Sequence, residues 1–176
     1  LPADVRALQE TSVYPRTTGY LKRQLVDIGD KVKEGQLLAE IDSPEVDSQL
    51  NQAKATKEQG SANLNKAQAD EDLAQTTISR YDTLAKTPGA ITQQDIDEKR
   101  ATFKQAQAAL DSARANVVAS QADVQRLTEL QGFEKITAPF TGVITARNYD
   151  VGALLSATNS GQPLFKLEET DVLRVF

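Results

Sequence analysis

One short pattern is written twice, and that repetition restricts the fold more than any other feature. "GYLKRQLVDIGDKVKEGQLLAEID" runs from Gly19 to Asp42, and "GVITARNYDVGALLSATNSGQPLFKLEE" from Gly142 to Glu169. Each copy opens on Gly, places Asp eight residues on (Asp27, Asp150) and Gly two further (Gly29, Gly152). Each then carries a Gly-Gln pair, Gly35-Gln36 and Gly161-Gln162, with three extra residues in the second copy. The approaches match as well. Val13 and Ile136 stand six residues ahead of the opening glycines, Thr18 and Thr141 immediately precede them, and Pro15 and Pro139 lie nearby. A constant offset of 123 residues marks two copies of one supersecondary unit. A unit this short cannot bury its own apolar face, so the two copies must pack on each other. The expectation is a small β-sandwich with a quasi-two-fold axis. The intervening chain leaves from the end of one half and returns at the start of the other.

That intervening chain, residues 45–131, has a different character. Ala, Gln, Asp, Lys and Leu dominate, and Gly and Pro occur only at Gly60 and Pro88-Gly89, a mixture that favours helix. In the first arm Val46, Leu50, Ala53, Lys57, Gly60, Leu64, Ala67, Glu71, Ala74, Ile78, Tyr81 and Ala85 recur at alternating spacings of four and three. In the second arm Ile96, Phe103, Leu110, Val117 and Val124 recur every seven, with Ala106, Ala113, Ser120 and Leu127 between them. This spacing buries one stripe of each helix against a partner, and Ala at many seam positions allows close approach. Pro88 cannot continue a helix and Gly89 accepts turn dihedrals. Thr92 is then placed as the N-cap of the second arm, with Asp95 in its first turn. An antiparallel helical hairpin follows, with arms of about 40 residues, roughly 60 Å at 1.5 Å per residue. A compact bundle is the alternative, but two arms alone offer too little apolar surface for a closed core. Gly60 marks either a close helix contact or a flexible point, and the sequence leaves both open.

Composition narrows the function. The chain has 176 residues and a net charge of −5, with no His, Cys, Met or Trp. The commonest zinc, thiolate and imidazole chemistries are therefore absent. No basic patch dominates, so nucleic acid is not expected as a partner. No apolar run reaches the length of a membrane span, and there is no signal peptide. The chain opens at Leu1 without Met, which reads as a trimmed end with an anchor or targeting segment outside it. The acidic run Asp70–Asp72 reads as a solvated helix face rather than a cation site. Gly29 and Gly35 follow strand-turn spacing with no helix start after them, so they are not phosphate cradles.

The first half-motif "GYLKRQLVDIGDKVKEGQLLAEIDSPEVDSQL", the Ala/Gln-rich hairpin, and "ITAPFTGVITARNYDVGALL" occur in that order across nearly the whole chain. In this order they resemble the periplasmic adaptor, or membrane fusion, proteins of tripartite efflux pumps, closest in style to those of resistance-nodulation-division transporters. The resemblance implies an α+β architecture: a split lipoyl/biotinyl-like β-sandwich with a long inserted antiparallel coiled-coil α-hairpin, plus fragments of a β-barrel domain. The expected segments are a barrel strand at 1–12, the first lipoyl-like half at 13–44, and the hairpin at 45–131 with its tip at about 86–92. The second half follows at 132–168 and a returning barrel strand at 169–176. The resemblance also implies no catalysis and no cofactor. It implies an inner-membrane transporter and an outer-membrane channel as partners, a homo-oligomeric ring such as a hexamer, and a periplasmic location with anchorage to the inner membrane. At the tip the family pattern falls on Arg80, Leu84 and Thr92 in "RYDTLAKTPGAIT", the Thr standing one residue later than usual. Their implied role is contact with the channel's helical tips; the alternatives are a solvated charge, a seam cap and a helix cap.

Two rival functions remain in view. An adaptor for an ATP-driven exporter or a type I secretion system fits a hairpin of this length. A biotin or lipoate carrier would need a Lys on the turn between the halves, and the junction reads "AEIDSPEVD", with none.

Overall fold

The computed structural model describes residues 5–7, 9–158, 161–169 and 173–175. In chain order the elements are β1 (Val5–Ala7), β2 (Glu10–Val13), β3 (Gly19–Gln24), β4 (Lys31–Val32) and β5 (Leu37–Asp42). The helices α1 (Pro44–Leu84) and α2 (Gln93–Gly132) follow, then β6 (Lys135–Thr137), β7 (Gly142–Arg147), β8 (Leu154–Leu155), β9 (Phe165–Glu168) and β10 (Leu173–Val175). The chain divides into two compact units, one made of residues up to 49 with those from 127 onward, the other of residues 50–126.

The first unit holds the two copies of the repeat. Its two four-stranded sheets run β2-β9-β7-β4 and β6-β5-β3-β8, with every neighbouring pair antiparallel. Exchanging the two halves turns one order into the other. In each sheet the central pair comes from one half and both edge strands from the other half. Neither copy can complete a sheet alone, which is the physical content of the repeat.

The equivalence extends to single hydrogen bonds. Gly29 N donates to Ile144 O at 2.8 Å, and Gly152 N to Leu21 O at 2.8 Å. Both glycines sit in the left-handed region, at φ +94° and +91°, where a Cβ is strained. The register slips once in each central pair, between Leu21 and Arg23 and between Ile144 and Ala146, so a β-bulge recurs too. The opening glycines have a steric reason. A Cβ on Gly19 would overlap the Asp42 carbonyl oxygen, and one on Gly142 would overlap that of Glu168. In the first Gly-Gln pair, Gly35 is left-handed at φ +76°.

The sandwich core is built from matched residues: Leu21 with Ile144, Val32 with Leu155, Leu38 with Leu164, and Ile41 with Leu167, all buried. One match is lopsided, Ala39 against Phe165, so a large ring fills space that a second small residue would leave open. Glu10 to Val13 already ladder with Glu168 to Phe165. The first sandwich strand therefore begins inside the stretch expected to enter the barrel. Val5–Ala7 pairs with Leu173–Val175 as a separate two-stranded ladder. Residues 1–4, 8, 170–172 and 176 of the expected barrel strands lie outside the described residues.

The two helices carry the expected seam. In α1 the seam positions from Val46 to Tyr81 are buried or half-buried, while nearly all others are exposed. Ala85, beyond the helix end, is exposed. In α2 the nine seam positions from Ile96 to Leu127 are all buried or half-buried. Gly60 faces the other arm: a Cβ there would lie 3.6 Å from Val117 Cγ2 and 3.9 Å from Ser120 Oγ. Gly60 therefore marks a close helix contact with room for one methyl group. An ion pair from Arg100 to Asp82 at 3.1 Å and a 3.3 Å hydrogen bond from Arg114 to Gln68 Oε1 tie the arms on their polar side.

Candidate partner-docking tip of the helical hairpin

Helix α1 ends where its last carbonyls are taken up by tightening turns. Ala85 N donates to Tyr81 O at 2.9 Å, Thr87 N to Leu84 O at 2.9 Å, and Ala90 N to Thr87 O at 3.2 Å. Gly89 then reverses the chain at φ +81°. Thr92 starts α2 with reciprocal capping bonds. Asp95 N donates to Thr92 Oγ1 at 3.2 Å, Thr92 N to Asp95 Oδ2 at 3.1 Å, and the Thr92 hydroxyl to Asp95 Oδ2 at 2.5 Å. The Thr92 side-chain bond, followed by its backbone bond, holds the Asp95 carboxyl below the usual range.

The three residues singled out from sequence occupy two different settings. Arg80 and Leu84 stand one turn apart on α1 and line one concavity of about 670 Å³ with Gln75, Thr76, Ser79 and Thr83. Leu84 is 48% exposed. Arg80 is exposed and has no ion-pair partner among the described residues, whereas nearby Asp82 is held by Arg100. Thr92 is not part of that concavity, and its hydroxyl is committed to the cap.

The hydroxyl residues around Arg80 were not singled out from the sequence. Thr76, Ser79 and Thr83 each donate to the carbonyl four residues back, at 2.9, 2.8 and 2.9 Å. Their polar groups are satisfied within the helix, which leaves a shelf of low polarity around one unpaired guanidinium. The run "TTISRYDT" was the available signal: hydroxyls at helical spacing on either side of Arg80.

Away from the tip, the most marked electrostatic feature is Arg147. Its Nη1 donates to Asp150 Oδ1 at 2.7 Å and to Gln24 Oε1 at 3.3 Å, and its Nε lies 3.3 Å from Asp27 Oδ1. The Nε contact is an ion pair without a hydrogen bond, so that buried N–H has no acceptor. One arginine thus joins the two equivalent turn aspartates of the repeat. At the other end of the sandwich, burial raises the Glu134 carboxyl above its ordinary value, with further upward push from Asp47 and Asp42 and a downward pull from Lys22. Its Oε1 is sealed from solvent without a partner. Among the described residues, no group of three or more acidic side chains is placed to hold a metal ion, and no helix is long and apolar enough to cross a membrane.

A sandwich of exchanged strands interrupted by a coiled-coil hairpin defines a barrel-sandwich hybrid of the membrane fusion class. Residues 9–165 match the family described as "RND MFP, barrel-sandwich hybrid domain". The chain belongs to that family of membrane fusion proteins. It is 30% identical over 169 residues to the macrolide export protein MacA of Escherichia coli O157:H7, covering 96% of this chain and 45% of that one. It is 31% identical over 171 residues to the multidrug resistance protein MdtA of Proteus mirabilis, covering 97% and 38%. The crystal structure of MacA from Actinobacillus actinomycetemcomitans superposes with a TM-score of 0.91 at 23% identity, covering 98% of this chain and 53% of that one, which shows the shared fold. The chain spans less than half the length of the E. coli and P. mirabilis relatives.

Proposed function

We propose that the chain is the core of a non-catalytic periplasmic adaptor that links an inner-membrane efflux transporter to an outer-membrane channel. The observation that carries this reading is the tip of α1: an unpaired, exposed Arg80 and a half-exposed Leu84 share one low-polarity shelf beside a capped turn. Such a surface suits helical tips on a partner, whose terminal carbonyls accept from a guanidinium while an apolar side chain packs between them. Thr92 contributes by fixing the turn's shape through its cap on α2. The family description favours a transporter of the resistance-nodulation-division class. The names of MacA and MdtA favour drug export. In this reading the protein is anchored to the inner membrane and works as a homo-oligomeric ring.

A photo-crosslinking amino acid at position 84 of the full-length protein tests the reading in cells. Crosslinks to the outer-membrane channel are expected, and none from exposed position 118 of α2. Equal crosslinking from both positions, or none from 84, would overturn the tip contact.

A further inference from the structure

The two sheets leave one seam open. β2 is the edge strand of one sheet and β6 of the other, and the repeat makes them equivalent, Val13 matching Ile136. Between them lies a cleft of about 440 Å³. Ladder alternation decides which backbone groups face outward. Glu169 N donates to Gln9 O at 2.9 Å and Leu164 N to Val13 O at 2.8 Å, so the odd-numbered residues of this stretch bond to β9. Ser12 therefore turns its N–H and C=O to the outer edge. Ile41 N donates to Glu134 O at 2.8 Å and Ala138 N to Gln36 O at 2.9 Å, so Lys135 and Thr137 turn theirs outward from β6. Outward-facing backbone groups of this kind are templates for an added strand.

The charge around the cleft is the second observation. The chain carries 25 Asp and Glu against 20 Lys and Arg, yet no carboxylate is among the lining residues. The charged side chains there are Arg16 and Lys135; Lys135 faces Glu40 across the β5–β6 ladder and interacts with its carboxylate at a range longer than an ion pair, while Arg16 has no ion pair among the described residues. The Arg16 guanidinium lies 3.8 Å over the Phe133 ring, which fixes its position without neutralising it.

We propose that this cleft takes an extended acidic peptide segment from a partner protein. The segment adds as a strand along the Lys135–Thr137 edge and sets its alternate carboxylates against Lys135 and Arg16. Main-chain bonds supply the affinity and the two cations select the charge.

The test uses the intact 176-residue chain and three synthetic probes: a blocked peptide of alternating Val and Glu, its Val/Lys counterpart, and a Val/Glu version N-methylated on alternate residues. Binding is read from amide shifts in nitrogen-edited NMR spectra. The Val/Glu peptide should bind and shift the Ser12, Lys135 and Thr137 amides. The Val/Lys peptide should not bind. N-methylation should weaken binding by about tenfold or more, through lost backbone bonds. Lys135→Glu, at an exposed position, should weaken Val/Glu binding by about tenfold or more while the chain keeps its circular dichroism spectrum. Failure of the Val/Glu peptide to bind, equal binding of the Val/Lys peptide, or indifference to N-methylation would overturn the proposal. So would concentration-dependent loss of the Ser12 and Thr137 signals without peptide, which would assign the cleft to a second copy of the chain.

Discussion

Replacing Gly142 by Ala adds one methyl group and should destabilise the sandwich by about 3 kcal/mol. The new Cβ would overlap the Glu168 carbonyl oxygen and press within 3.3 Å of Phe140 Cε2. Glu168 lies on β9, hydrogen-bonded to β7 and adjacent to Leu167, which is fully buried. The clash is therefore with backbone, and relief needs roughly an ångström of strand displacement to restore an ordinary contact. Overpacking a well-packed core costs about 1–3 kcal/mol, and a clash with a central strand falls at the upper end, about 3 kcal/mol. At roughly 2–8 °C per kcal/mol, the sandwich transition should drop by on the order of 10 °C. Gly60→Ala is the internal contrast. Its Cβ meets Val117 Cγ2 at an ordinary 3.6 Å, so the gain in helix propensity dominates and the hairpin should gain up to about 1 kcal/mol. Urea unfolding followed by far-ultraviolet circular dichroism for the hairpin, and by NMR for the sandwich, separates the two. A Gly142→Ala sandwich as stable as the parent, or a Gly60→Ala hairpin less stable than it, would refute the steric argument.

Three further outcomes follow from the tip and the sandwich. Arg80→Asp in the full-length protein should abolish drug export, measured by susceptibility, with thermal stability unchanged, because Arg80 is exposed and unpaired. Thr92→Ala should destabilise the start of α2 by about 1 kcal/mol through loss of its cap, seen as faster amide exchange at Asp95 and Ile96; unchanged exchange would remove the capping role. Glu134→Gln should stabilise the chain at neutral pH. An acid whose folded pKa is raised holds its proton more tightly when folded, so the parent loses stability as pH rises from the ordinary carboxyl value through the raised one. The advantage of the Gln variant should therefore fade as pH falls below the ordinary glutamate range, and a difference independent of pH would exclude Glu134 as its source.

The sequence carried the parts of the fold that depend on local steric and periodic constraints. Gly29 followed strand-turn spacing, Gly19 and Gly142 opened the two copies of the repeat, and the four-three spacing from Val46 to Tyr81 marked the helix seam. It did not carry lateral pairing. Nothing in "KV" or "LL" reveals that Lys31–Val32 pairs with Val143 and Gly142, or that Leu154–Leu155 completes the sheet of β3, because an edge strand of two residues has no periodicity to read. Arg147 was hidden for a related reason. It replaces Gln24 at the equivalent position, and its reach to Asp27 and Asp150 depends on tertiary placement of both turns. At the tip, Arg80 and Leu84 were legible as a pair one turn apart. The shelf of back-bonded hydroxyls around them was not, because a serine or threonine that bonds to its own helix looks the same in sequence as one that faces a partner.

The central claim is that each half of the repeat supplies both edge strands of the other half's sheet. Cross-strand nuclear Overhauser effects in the isotope-labelled chain test it directly. The account predicts close proton contacts between Lys31 and Val143 and between Tyr20 and Leu154, each joining one half to the other. A spectrum in which strand contacts stay within residues 10–42 and within residues 135–168, with none between the two sets, would contradict it.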